Sequence, residues 1–346
     1  MTEKNGADKA GRQSPSMAQV AKICGLSKRV VSAVLSPRES NQHIRFSEET
    51  KKRIEEVAQD IGYRPNRTWQ NAVQNRNGSI GVLCSAMYKI PGNGAGIADV
   101  YDEAAKKGYL IHIEVAADRN ELPLFLKENV VDGLLLFEPF DEEVRDAIRS
   151  YNIPAVYVNA GVPEEPHTVE YDDAGGMKKA VEFLIQQEDR QIAFIHQGNE
   201  FYNQARIASL QEACEENGAA SPLLLDIGDC LNTLSGTRKA RQAILQFLRT
   251  HPDVNAVLLQ NNYLAGHCYD GLRANGKKIP EDTAVIGMGP GDAFCFEPPL
   301  SHLALEESGC RLATKRLCEM IAGGSPAEEK QIGYELVHVG STQSNP

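Results

Sequence analysis

From Ser79 onward, short apolar runs alternate with amphipathic stretches of helical period, and that alternation leaves few folds open. Ile80–Cys84, Tyr109–Val115, Gly133–Phe137 and Ala155–Val158 read as strands, as do Ile192–His196, Leu223–Asp226, Ala256–Gln260 and Thr283–Met288. Between most of them lie amphipathic helices such as Asp141–Tyr151, Ala174–Gln187 and Gly236–Thr250. Strands separated by helices pair in parallel, because a helix is the usual crossover back to the same end of a sheet. The expected fold class is therefore α/β with doubly wound parallel sheets. So many strands suit two lobes better than one.

The first 78 residues have a different texture. Residues 1–16 are polar and predict a disordered tail. Met17–Cys24 reads as a short helix, with Val20, Ala21 and Ile23 apolar and Gly25 as a left-handed stop. Ser27 is a good N-cap for a second helix, Lys28–Leu35. After a loop, Ser47 caps a third helix, with Glu48 and Glu49 near its positive end. Ile54, Val57, Ala58 and Ile61 form its apolar stripe. Two short helices joined by a glycine-containing turn make a helix-turn-helix. In the second helix, Val30, Val31, Val34 and Leu35 can face a core, which leaves Lys28, Arg29, Ser32 and Ala33 on the other side. A basic face of short side chains near a helix N-terminus suits the major groove. There Arg29 can read guanine, and Lys28 can read guanine or hold phosphate.

Charge supports that division. Residues 1–78 hold 14 Lys/Arg against 8 Asp/Glu, a balance of +6, whereas the rest of the chain holds 22 against 39, a balance of −17. A small basic head on an acidic body suits a polyanionic partner.

Several classes are disfavoured. No segment approaches the roughly 20 uncharged apolar residues of a membrane helix, and the polar N-terminus does not resemble a signal peptide. A cytoplasmic protein without membrane attachment is expected. Eight cysteines without a C-x-x-C pair read as free thiols in a reducing compartment. The histidines form no H-E-x-x-H pattern, so no metal is expected. No G-x-S-x-G elbow or nucleophile–base set emerges, so neither catalytic residues nor cofactors are assigned and an enzyme is not expected. The glycines at 92, 94 and 96 begin eight residues after Cys84, too late for a dinucleotide loop, and read as a flexible cleft rim. Asp172–Asp173 reads as a crossing between lobes and a helix start.

MAQVAKICGLSKRVVSAVLS and FSEETKKRIEEVAQDIGYRPN resemble the DNA-binding head of the LacI/GalR (lactose/galactose repressor) family. The pattern V-A-x-x-x-G-[VL]-S-x-x-x-V-S-x-V-L is met by Val20, Ala21, Gly25, Ser27, Val31, Ser32, Val34 and Leu35. Ser47, Thr50, Gly62, Tyr63, Pro65 and Asn66 meet its continuation. In the body, YDDAGGMKKAVEFL resembles D-N-x-x-G-x-x-x-A-x-x-H-L at Asp172, Gly176, Ala180 and Leu184, with Phe183 in place of the histidine. NAVLLQNNYLAG resembles a strand and its N-D-x-x-A-x-G turn, and the likeness runs over residues 17–340.

The resemblance implies a helix-turn-helix head at 17–64, a hinge at 65–78, a body at 79–340 and a tail at 341–346. The body would resemble periplasmic sugar-binding proteins, with three crossings between lobes. Lobe one would span about 79–171 and 301–330, and lobe two about 172–300 and 331–340. It further implies a homodimeric transcriptional regulator, a repressor by preference, on double-stranded operator DNA. A small-molecule effector, a sugar or related metabolite, would bind between the lobes. DNA contacts are expected at Ser27, Lys28, Arg29, Ser32, Ala33, Tyr63, Asn66 and Arg67. The minor-groove wedge of the hinge falls at Ala72, with Val73 beside it as the alternative. Effector contacts are expected at Tyr88, Asp172, Arg206 and Asn262. Arg206 matches the arginine of R-x-x-G-[FW], and Asn262 stands where the family often has aspartate. The rival reading is a cytoplasmic small-molecule-binding protein whose head has lost specific DNA recognition.

Overall fold

A computed structural model describes residues 15–35, 44–64, 76–85, 94–116, 120–137, 140–162, 164–186, 190–198, 201–228, 234–289, 293–325 and 330–342. The chain divides into two compact units, residues 1–76 and 77–346.

In the first unit, α1 (Met17–Cys24), α2 (Lys28–Leu35) and α3 (Glu48–Asp60) close on a small core. The start of α1 is fixed by a capping box: Gln19 N donates to Ser16 Oγ at 3.3 Å, and Ser16 N donates to Gln19 Oε1 at 2.8 Å. Gly25 turns the chain at φ +69, a conformation that costs glycine no Cβ clash. Val20, Ala21, Cys24, Val31, Ile54 and Ala58 are buried together. Ile23, expected among the apolar residues of α1, is 52% exposed. The buried stripe of α1 runs through positions i, i+1 and i+4, and Ile23 falls off it. At α3, Ser47 Oγ accepts from Thr50 N at 3.1 Å. Ser47→Ala is expected to cost about 1 kcal/mol of head stability, read as a lower melting temperature of its helical signal.

The second unit holds two six-stranded sheets. Sheet one takes β1 (Ser79–Ser85), β2 (Leu110–Ala116), β3 (Leu134–Leu136), β4 (Ala155–Val158), β5 (Thr168–Tyr171) and β11 (Lys330–Ile332). Their order is β11-β5-β4-β3-β1-β2. Sheet two takes β6 (Ile192–His196), β7 (Leu223–Asp226), β8 (Ala256–Leu259), β9 (Ala284–Met288), β10 (Ser301–Leu305) and β12 (Tyr334–Val337), in the order β12-β10-β9-β8-β6-β7. Pairing is parallel apart from β10 with β12. Helices cover both faces of each sheet, which is why these strands read as nearly continuous apolar runs.

On sheet one, α4 (Gly94–Lys106) and α11 (Gly309–Ile321) pack one face through Val100, Ala104, Ala313 and Leu317. The short α5 (Leu124–Lys127) and α6 (Glu142–Ser150) pack the other through Phe125, Leu126, Val144 and Ile148. On sheet two, α7 (Asp173–Ile185) and α8 (Phe201–Glu216) cover one face, and α9 (Leu234–Thr250) and α10 (Ala265–Ala274) the other.

The passages between lobes differ from expectation at two places. Residues 301–305 were expected in lobe one, yet β10 pairs with β9 in sheet two, Ser301 opposite Ile286. Along it burial alternates, with Ser301 and Leu303 inside and Leu303 packed in the core between sheet two and the helices that cover it. The boundary expected after residue 330 falls instead at Gly333, between β11 in sheet one and β12 in sheet two. Asp172 N donates to Ile332 O at 2.9 Å and Glu306 N to Gly333 O at 3.0 Å. The third crossing is thus bonded to both of the others. No helix among the described residues is long and apolar enough to cross a membrane.

Candidate functional site

On the head, the N-terminus of α2 carries the expected contact residues. Ser27 Oγ accepts from Val30 N at 3.3 Å, so Ser27 caps the helix. Lys28 and Arg29 are exposed beside it, and Ser32 is half-buried. Ala33, expected on the outer face, is only 5% exposed. Tyr63 packs partly against the head core, and burial raises its pKa, which keeps the hydroxyl protonated. Asn66, Arg67, Ala72, Val73 and Trp69 lie outside the described residues.

In open α/β sheets ligands bind beyond the carboxyl ends of the strands. At that end of sheet two the structure gathers buried polar side chains: His196 at the end of β6 and Gln197 after it, Gln260 and Asn262 after β8, and Asn203 and Arg206 on α8. Arg206 is the centre of this group. Its Nε donates to Asp173 Oδ2 at 3.0 Å and its Nη2 to Asp173 Oδ1 at 3.1 Å. Its Nη1 reaches the Gln260 carbonyl at 3.4 Å. The Tyr334 hydroxyl donates to Asp173 Oδ1 at 2.8 Å. The Gln260 side-chain carbonyl accepts from Gln197 N, and Asn203 Nδ2 donates to the carbonyls of Gln197 at 2.9 Å and Gly198 at 3.1 Å. The side-chain oxygens of Asn203 and Asn261 are buried with no hydrogen-bond partner among the described residues. Buried amides of this kind are ready acceptors for a ligand or water.

The expected effector residues behave differently from one another. Arg206 and Asn262 share a neighbourhood, since Arg206 touches Gln260, two residues before Asn262. Asn262 is 2% exposed, and its Nδ2 donates to Gly289 O at 3.2 Å. A Cβ at Gly287 would lie 2.1 Å from Asn262 Oδ1 and 2.8 Å from Leu300 Cδ2. Gly287→Ala is therefore expected to displace Asn262 and to cost about 1–3 kcal/mol, read by thermal unfolding. Asp172 caps α7, its Oδ1 accepting from Gly175 N at 2.9 Å. Tyr88 lies outside the described residues. Asp173, Gln260 and Tyr334 were not singled out from the sequence as effector residues. The paired carboxylates at 172–173 were visible there, but Tyr334 meets Asp173 across 161 residues, and no local pattern signals such a contact.

Comparisons with known proteins cover most of the chain. Residues 181–342 match the family described as periplasmic binding protein-like domain. The chain is 27% identical over 345 residues to the HTH-type transcriptional repressor CytR of Escherichia coli (strain K12), covering 95% of this chain and 98% of that one. It is 26% identical over 306 residues to the HTH-type transcriptional regulator CelR of Thermobifida fusca, covering 84% and 87%. The Lac repressor dimer bound to operator and the anti-inducer ONPF has the same fold at a TM-score of 0.74 and 19% identity, covering 96% of this chain and 100% of that one. A transcriptional regulator CelR–cellobiose complex matches at a TM-score of 0.63 and 22% identity, covering 94% and 99%.

Proposed function

The chain belongs to the LacI/GalR family of transcriptional regulators, and we propose that it binds operator DNA as a homodimer under the control of a small polar effector. The observation that carries this reading is one polypeptide holding two sites: the exposed Lys28–Arg29 end of a helix-turn-helix, and the buried polar group around Arg206. Its action lies on DNA in the cytoplasm, and repression is the favoured sense. No step of bond making is assigned to it.

Coupling between the two sites is reciprocal: an effector that lowers operator affinity by some factor is itself bound less tightly, by the same factor, when operator is present. A gel shift against genomic fragments, followed by footprinting, tests the DNA reading directly. Arg29→Ala is expected to cost about 1–3 kcal/mol per half-site and to relax preference at one base pair, a G·C. Lys52→Ala, on the exposed face of α3, is expected to weaken all sequences alike at most. Unchanged base preference in the Arg29 variant would remove α2 from the groove.

The homodimer needs a face on the body, because the head's own core is small. At the β2 edge of sheet one, Ile113 (52%), Val115 (38%) and, on α4, Tyr101 (62%) are exposed. Concentrated apolar exposure of this sort marks an interface. Helix α4 carries Asp99, Asp102 and Glu103 before Lys106, and Lys107 follows its end. Two copies laid antiparallel about a two-fold axis would set acids against lysines, the self-complementarity that an isologous interface requires.

A further inference from the structure

Asp173 is a buried carboxylate with both oxygens engaged inside the second lobe. Oδ1 accepts from the Tyr334 hydroxyl at 2.8 Å and from Arg206 Nη2 at 3.1 Å, and Oδ2 accepts from Arg206 Nε at 3.0 Å. The side chains of Arg206 and Asp173 are only 7% and 9% exposed. Tyr334 is wedged in place, since a Cβ on Gly176 would lie 2.8 Å from its ring. Burial first, and then the negative charge of Asp173, push the Tyr334 pKa up, so its hydroxyl stays protonated and donating. The edge of Arg206 formed by Nε and Nη2 is the edge that would otherwise grip a two-oxygen anion. In the D-N-x-x-G pattern that this segment resembles, the asparagine position is Asp173 here.

We propose that Asp173 is a specificity-determining residue: by holding the two-donor edge of Arg206 it closes this side of the cleft to carboxylate and phosphate ligands. The proposal rests on the reading that an effector sits against Arg206. An anion arriving there has two courses. It can displace Asp173, leaving that carboxylate buried with the Tyr334 hydroxyl as its remaining described partner, at the cost of a poorly compensated buried charge. Or it can settle beside Asp173, where two like charges repel in a medium of low dielectric. An uncharged hydroxyl meets neither penalty, because it can accept from the Nη1 side without disturbing the pair.

Thermal-shift titration of the full chain with inorganic phosphate and with sulfate tests this, since these anions need no match to the shape of the cleft. Wild type and Arg206→Gln are expected to respond to them equally, which subtracts any binding at the basic head. Asp173→Asn is expected to bind phosphate at least about tenfold more tightly, a gain of about 1.4 kcal/mol, and to lose that gain when Arg206→Gln is added. Far-UV circular dichroism confirms folding, and Asp173→Ser replaces the asparagine variant if that one does not fold. Phosphate binding by wild type that depends on Arg206 would overturn the proposal. So would a folded neutral variant that binds phosphate no better than wild type. A gel shift of wild type on operator reports separately on the regulator reading, whose failure would leave the phosphate comparison intact.

Discussion

Arg206→Ala is expected to destabilise the body by about 3–5 kcal/mol, because it strands a buried carboxylate. The pair it breaks is almost fully enclosed, with side-chain exposures of 7% and 9%. After truncation Asp173 keeps the Tyr334 hydroxyl but loses two charged donors. Removing both charges at once should be much milder than removing either, because no uncompensated ion remains. A double-mutant cycle over Arg206→Ala and Asp173→Asn, read by urea unfolding, is therefore expected to show strong coupling. Additive losses would mean that the two side chains do not sense each other. Below its melting temperature the Arg206 variant is expected to retain operator binding while losing its response to effector, because the head is a compact unit of its own.

Ile113→Asp is expected to raise the dimer dissociation constant by about two orders of magnitude or more. The half-exposed isoleucine would be covered at the proposed two-fold contact, and each interface would then bury two carboxylates where it had buried two side chains of hydrocarbon. Sedimentation at micromolar concentration reads the change, with circular dichroism to confirm an intact fold. Operator affinity should fall with it, because a tethered second head binds at high effective concentration and a monomer forfeits that gain. A variant that remains fully dimeric would place the contact elsewhere on the body.

The legibility of this chain follows the range of the forces involved. The head could be read because its signals are local: Ser27, Ser47 and Gly25 act within one helical turn of where they stand. The strands from Ile80 to Met288 could be read because strands covered on both faces are apolar along their length. β5, β10, β11 and β12 escaped notice, being only three to five residues long. Sheet membership at the crossings escaped too, since Ser301–Leu305 carries nothing in its sequence to say which sheet it joins. At the site, Arg206 was legible by resemblance, but its engagement by Asp173 and Tyr334 depends on contacts between distant segments. Ala33 was assigned to the outer face because helical period gives a direction within one helix, whereas its burial depends on what the rest of the head packs around it.

The interleaving of the lobes has a consequence for biosynthesis. Helix α11, which packs Ala313 and Leu317 onto sheet one, is made after all but one of the strands of sheet two. β11 and β12, which border the two sheets, emerge later still. On the ribosome, the segment from Ser79 to Tyr171 can form its early strands but must wait for some 150 more residues before its missing helix arrives. A nascent chain halted near residue 300 should therefore expose the apolar face that α11 covers and depend on chaperones. Loss of the later residues would unravel the earliest-made lobe along with the other.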